Sequence, residues 1–213
     1  MVTLYVLHLS ALPDEGQEGY RELFEMLSEE RQKRIEKNQN QESRKQLLGA
    51  GILLRKVFGI YGFDENAIYK DRYGKPIVEG FHFNLSHTTD LVVCAVGERP
   101  VGCDVESIKI APRGIAERFF SENEKVYLSS EEENYDEVFF RLWTMKESYI
   151  KMTGEGMHLP MDAFEIHLGD CVKVFREGGE QSCHIKEYGI PGYKVVVCAE
   201  ENEFSEQWEN IVK

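Results

Sequence analysis

In the run VGCDVE, Asp104 and Glu106 stand two residues apart on a segment that reads as a β-strand, so the period of two turns both carboxylates to one face. Like charges this close repel unless a cation lies between them. An all-oxygen pair suits Mg2+, which takes one or two carboxylates and completes its shell with water and phosphate oxygens. Alone, such a pair is most often a solvated strand face, and it gains meaning only beside a second group. RLWTMKESYIK supplies one. At about 100° per residue, Leu142, Met145, Tyr149 and Met152 form an apolar stripe that Phe139, Trp143 and Ile150 widen. Lys146 projects into that stripe, where an ammonium is costly unless it is paired or reaches a phosphate. Glu147 and Lys151 lie one turn apart on the opposite flank, a spacing shared with ordinary exposed Glu to Lys pairs.

A third group begins with the turn YGKP, made of Tyr73, Gly74, Lys75 and Pro76, which offers backbone donors and one ammonium. Ser86, His87 and Thr88 in FNLSHTT, at a strand end, offer hydroxyl and imidazole donors to a phosphate.

These residues need elements to hold them. MVTLYVLHLSAL reads as a first strand, and Tyr20, Leu23, Phe24, Leu27 and Ile35 recur near a helical period. A second helix is expected over 43–58, ending near Gly59 or Gly62. Short strands follow in FHFNLSH, LVVCAV and VGCDVE, joined by tight turns. Ser121 and Glu124 have the spacing of a capping box, so a helix starts there. Another helix is expected over 138–152, and AFEIHL, CVKVF, CHIKEY and YKVVVCAE alternate as strands. The element order predicts an α+β fold of two similar halves meeting near Pro100.

The 213 residues are 42% hydrophobic and 30% charged, a balance that excludes a disordered tail and a membrane protein. With 38 acidic against 25 basic residues, net charge −13, there is no broad footprint for nucleic acid, and an anionic partner must be met locally. The five cysteines show no CxxC spacing, so neither a disulfide framework nor a zinc ribbon is expected, and buried reduced thiols are. The chain start lacks the pattern of a secretory signal, and no apolar run approaches the ~20 residues that cross a bilayer. A cytoplasmic protein is expected.

Taken together and in this order, YGKP, FNLSH, VGCDVE, FFSENE and LWTMKESYIK resemble the Sfp-like 4'-phosphopantetheinyl transferases, over roughly 47–151. The resemblance implies the 4'-phosphopantetheinyl transferase fold, a single-chain pseudo-dimer with a pseudo-twofold pair of α+β halves. Residues 1–100 would take the nucleotide end of coenzyme A, and 101–213 the metal site and carrier docking. The implied reaction is Mg2+-dependent transfer of the 4'-phosphopantetheine arm of coenzyme A to a serine of an apo carrier protein (acyl, peptidyl or aryl), releasing adenosine 3',5'-bisphosphate. On this resemblance Asp104, Glu106 and Glu147 hold Mg2+, Lys151 contacts the phosphates, and the four are the catalytic set, with Glu147 or a metal-bound water as base. Tyr73, Gly74, Lys75, Pro76, Ser86, His87 and Thr88 bind the nucleotide end, Lys33, Arg44 and Lys45 the 3'-phosphate, and Lys146 joins them as a coenzyme A contact. Carrier docking is expected through Arg113, Ile115, Arg118, Phe119 and Phe120. A monomer with no nucleic-acid or membrane partner is expected. The alternative is a catalytically idle module that binds coenzyme A or a nucleotide and regulates another protein.

Overall fold

Alternation along the strands feeds three separate cores, and this explains why so many strand residues are buried on both faces. The computed structural model describes residues 1–211. Strand β1 (Thr3–His8) leads into helices α1 (Tyr20–Glu25), α2 (Glu29–Lys37) and α3 (Gln41–Tyr61). A small hairpin, β2 (Tyr69–Lys70) and β3 (Pro76–Ile77), precedes β4 (His82–His87) and β5 (Leu91–Gly97). The second run starts at β6 (Val101–Ser107), with α4 (Arg113–Phe119), α5 (Glu122–Ser130) and α6 (Tyr135–Thr153). It continues through β7 (Phe164–His167), β8 (Lys173–Arg176) and β9 (Gly179–Glu180) to β10 (His184–Ile190), β11 (Tyr193–Ala199) and β12 (Glu209–Asn210).

One sheet has the order β12-β1-β5-β4 and another the order β10-β11-β6. In both, a strand, a set of helices and a small accessory sheet are followed by a hairpin whose second strand pairs antiparallel with the first strand. The connectivity of the α+β halves is therefore repeated. After Ala199 the tail crosses back, and β12 pairs parallel with β1.

Tyr5, Leu7, Val92, Cys94 and Val96 face α1 to α3, where Leu48, Ile52, Val57 and Phe58 meet them. Their neighbours Leu4, Val6, Val93 and Ala95 face the other way, onto Cys103, Val105, Val195 and Val197 of the second sheet. Val196 and Cys198 look outward again, onto Phe139, Leu142, Met145 and Tyr149. The result is helices, sheet, sheet, helices. Each fully buried Leu, Val or Phe in these layers contributes about 1.5–3 kcal/mol, so the seam between the sheets is held as firmly as either outer core.

The two long helices have clear ends. Asn40 caps α3 by accepting from Ser43 N, and Gly62 closes it at φ 74°. Gly154 ends α6 at φ 77°. The single helix expected over the Tyr20 to Ile35 region is instead two: the backbone at Ser28 is extended, and α2 restarts with Glu29 and Glu30 in its first turn, where the helix dipole favours them. Cys94, Cys103 and Cys198 are buried free thiols, Cys183 is half-buried and Cys171 exposed.

Candidate active site

Three elements meet at the edge where the sheets adjoin. Asn84 of β4 accepts from Cys103 N of β6 (2.8 Å), and the Cys103 thiol donates to Asn84 O (3.1 Å). Helix α6 lies directly on β6, because Gly102 presents no side chain: a Cβ there would run into Met152 N and Ser148 O of the helix. Beside this seam opens a cavity of about 350 Å³ lined by β4 (Leu85, Ser86, His87), β6 (Asp104, Val105, Glu106) and α6 (Trp143, Glu147, Lys151). The α6 residues are spaced by four and so fall on one helix face. Asp104 and Glu106 share the strand face that the alternation predicted.

Within the cavity, Lys151 Nζ donates to Asp104 Oδ1 (2.6 Å) and to Ser86 Oγ (3.0 Å), and Ser86 Oγ donates to Asp104 Oδ1 (2.8 Å). Burial works against the Lys151 charge, but Asp104 outweighs it and the pKa ends raised. Burial, and then the Asp104 charge, pushes both Glu106 and Glu147 above the usual carboxylate range. The His87 imidazole is held below its ordinary value by desolvation and by the charges of Lys151 and Arg34.

Three acids and one lysine on one wall leave an excess of negative charge. Asp104 Oδ2 is buried and lacks a hydrogen-bond partner, an orphaned acceptor that a cation would satisfy. Among the described residues, no group of three or more His, Cys, Asp or Glu side chains is arranged to hold a metal ion; what the wall offers is one orphaned carboxylate oxygen with two further acids beside it. That combination still fits Mg2+, which binds through one or two carboxylates and keeps sites for phosphate oxygens.

Several other expected contacts lie elsewhere. Lys146 is a correction: it is fully buried, and its three donors go to Glu124 Oε1 (2.7 Å), Glu124 Oε2 (2.8 Å) and Phe164 O (2.8 Å), leaving none for a ligand. Lys75 is another. Its ammonium donates to the main-chain oxygens of Lys151 (2.5 Å), Met152 (3.1 Å) and Val101 (3.4 Å), so it staples the end of α6. The backbone donors of the turn are also spent, because Asp71 accepts from Tyr73 N and Lys75 N through its side chain and from Gly74 N through its carbonyl. The Tyr73 ring remains accessible, 5.0 Å from His158 with Arg72 above it, and Pro76 pairs with Lys70. Thr88 is buried in the β4–β5 turn, with its carbonyl taken by Gln46 (3.2 Å).

Arg44 and Lys45 are paired with Glu15 and Asp14 of the loop after β1, and Lys33 with Glu29 on its own helix (3.2 Å). Arg34, one position further on, carries a charge that helps to lower the His87 pKa. Trp143, expected as a flank of the apolar stripe, stands on the cavity wall and packs edge-on against Phe119 (6.0 Å).

The family model of the 4'-phosphopantetheinyl transferase superfamily matches residues 100–198. The 4'-phosphopantetheinyl transferase ffp of Bacillus subtilis is 36% identical over 201 residues, covering 90% of each chain. Sfp of Bacillus subtilis (strain 168) is 34% identical over the same length, again with 90% of each chain covered. The gsp protein of Aneurinibacillus migulanus is 38% identical over 159 residues, 72% of this chain and 67% of its own. On the strength of these relatives, this chain belongs to the 4'-phosphopantetheinyl transferase superfamily.

Proposed function

We propose that the cavity transfers the 4'-phosphopantetheine arm of coenzyme A to a serine of an apo carrier protein. The observation that carries this reading is the convergence of Ser86, Asp104, Glu106, Glu147 and Lys151 from three elements onto one open wall. A cation-binding carboxylate set beside a lysine is what a pyrophosphate requires. Asp104, with Glu106 and Glu147 on the same wall, would hold Mg2+, which would supply charge neutralisation at that pyrophosphate.

The chain's own residues do the rest. Glu147 takes the proton of the carrier serine as its oxygen attacks the β-phosphorus. A serine O–P bond forms, the bond from the β-phosphorus to the bridging oxygen breaks, and adenosine 3',5'-bisphosphate leaves. Lys151, anchored on Asp104 and Ser86, stabilises the charge that develops on the leaving oxygen. Phosphoryl-type transfers depend mainly on such positioning and neutralisation. In this reading residues 1–100 meet the nucleotide end through His87 and the Tyr73 ring, and the chain acts as a monomer in a reducing, cytoplasmic setting that its free thiols suit.

The carrier docks over α4, next to Trp143 at the cavity mouth. Arg113 and Arg118 are exposed there, the latter 5.0 Å over the Phe119 ring. Phe120 is not part of that surface, being buried against Phe139, whereas Ile115, like Phe119, is half-buried with one side on the same core.

The direct test incubates the protein with coenzyme A, Mg2+ and a panel of apo carrier proteins, and reads the mass of each. One carrier is expected to gain a single 4'-phosphopantetheine arm, and a chelator to prevent the gain. Coenzyme A that is bound but never consumed with any carrier would instead support the idle module.

Arg34 provides a second prediction. Arg34→Ala is expected to raise the KM for coenzyme A by about tenfold, the ~1.4 kcal/mol of one charge-assisted phosphate contact. Lys33→Ala should leave it within about twofold, because an exposed i,i+4 pair contributes only ~0.3–0.5 kcal/mol. Equal effects of the two substitutions would show that the charge of Arg34 does not reach coenzyme A.

A further inference from the structure

Lys146 and Glu124 take no part in the chemistry above, yet both are almost completely out of water. The three hydrogen bonds of Lys146 are matched by two more onto Glu124: Ser121 N donates to Oε2 (2.9 Å) and Ile166 N to Oε1 (2.8 Å). One ion pair thus joins the start of α5, strand β7 and the middle of α6. Burial pulls the Lys146 pKa down and Glu124 pulls it back toward the charged form. Stability alone does not call for this arrangement, since buried pairs are often replaceable by apolar residues without loss. What apolar contacts supply poorly is direction: a smooth helix face can turn against a core, whereas three directed donors permit one orientation.

We propose that Glu124 and Lys146 are positioning residues that set the rotation of α6 about its own axis and so aim Trp143, Glu147 and Lys151 into the cavity. Lys146 is the residue before Glu147, on the core side of the same turn. At a helix radius of about 5–6 Å including side chains, a turn of ~10° displaces a side-chain tip by about 1 Å. A misplacement of that size can cost about 10²-fold in rate. Lys75 holds the C-terminal end of α6 through its carbonyls, and the ion pair holds the level of Glu147. The inference rests on the proposed transfer reaction.

The test is a pair of variants assayed with coenzyme A and a carrier that the parent protein modifies. The double variant Glu124→Gln with Lys146→Met removes both charges and leaves neither unpaired. Glu124→Asp keeps the pair but draws the carboxylate back by one methylene. The double variant is expected to lower kcat about 10- to 100-fold, and Glu124→Asp about 3- to 10-fold, each with the KM for coenzyme A within about threefold of the parent. A kcat within twofold of the parent in either variant that folds overturns the proposal. So does a loss of kcat matched by an equal rise in KM, the mark of general loosening. If the double variant does not fold, Glu124→Asp decides alone. A parent protein that modifies no carrier defeats the proposed function itself, whereas an active parent with fully active variants defeats only the positioning role.

Discussion

Glu147→Gln is expected to slow arm transfer by about 10²–10⁴-fold, the range spanned by loss of a positioned general base, while the protein stays folded. Glutamine keeps the shape of the side chain on the α6 face and removes only its charge and its ability to take a proton. Because burial and then Asp104 already disfavour the Glu147 carboxylate, neutralising it relieves repulsion in the resting protein. Single-turnover transfer from coenzyme A to an apo carrier measures the loss, and thermal unfolding checks the fold. Asp104→Ala should be as damaging for a different reason: it strips Lys151 of its 2.6 Å partner and Ser86 of its acceptor. Near-native turnover in either variant would remove the metal assignment, and in Glu147→Gln the base assignment with it.

Gly102→Ala carries the second large effect, and it acts through packing. The added Cβ would stand 2.8 Å from the Lys151 carbonyl carbon and meet the main chain of Ser148 and Met152 closer still. A flexible side chain could move aside, but helix backbone cannot. Overpacking costs about 1–3 kcal/mol and occasionally more, and this contact belongs at the upper end. At roughly 2–4 °C per kcal/mol for a chain of this size, the melting temperature should fall by about 6–12 °C. The shift must also lift α6 from β6, which parts Lys151 from Asp104, so transfer should fall well beyond what the lost stability explains. Gly59→Ala is the control: the position is helical and nothing lies within 4 Å of the new Cβ. It should be neutral or stabilising by about 0.4–1 kcal/mol. A Gly102→Ala protein as stable and active as Gly59→Ala would show that the close approach of α6 and β6 is not required.

The role of Lys146 shows where sequence and structure part. Its place in an apolar stripe was evident from helical spacing, and so was the need for a partner. Ser121 and Glu124 were equally evident as a capping box, which the structure contains. That the cap and the partner are one carboxylate was not visible, because 22 residues separate Glu124 from Lys146 and only the folding of α5 against α6 brings them together. Lys75 differs in the same way. The turn chemistry of YGKP is local and was legible, but its ammonium ends on carbonyls 76 and 77 residues away, where no spacing rule reaches.

What the amino-acid sequence determined by itself had a short physical range, although the break at Ser28 between α1 and α2 went unread. The alternation in YKVVVCAE and VGCDVE, the caps of the helices, the shared face of Asp104 and Glu106, and the order of elements that makes two similar halves all follow from neighbours a few residues apart. Only the tertiary structure decided which charged groups face the cavity and which hold the frame. Ser86 and Lys151 are 65 residues apart and Asp104 and Lys151 47 apart, and they meet because Gly102 lets a helix lie on a strand. A side chain's ionic partner is set by packing across elements, and periodicity within an element carries no record of it.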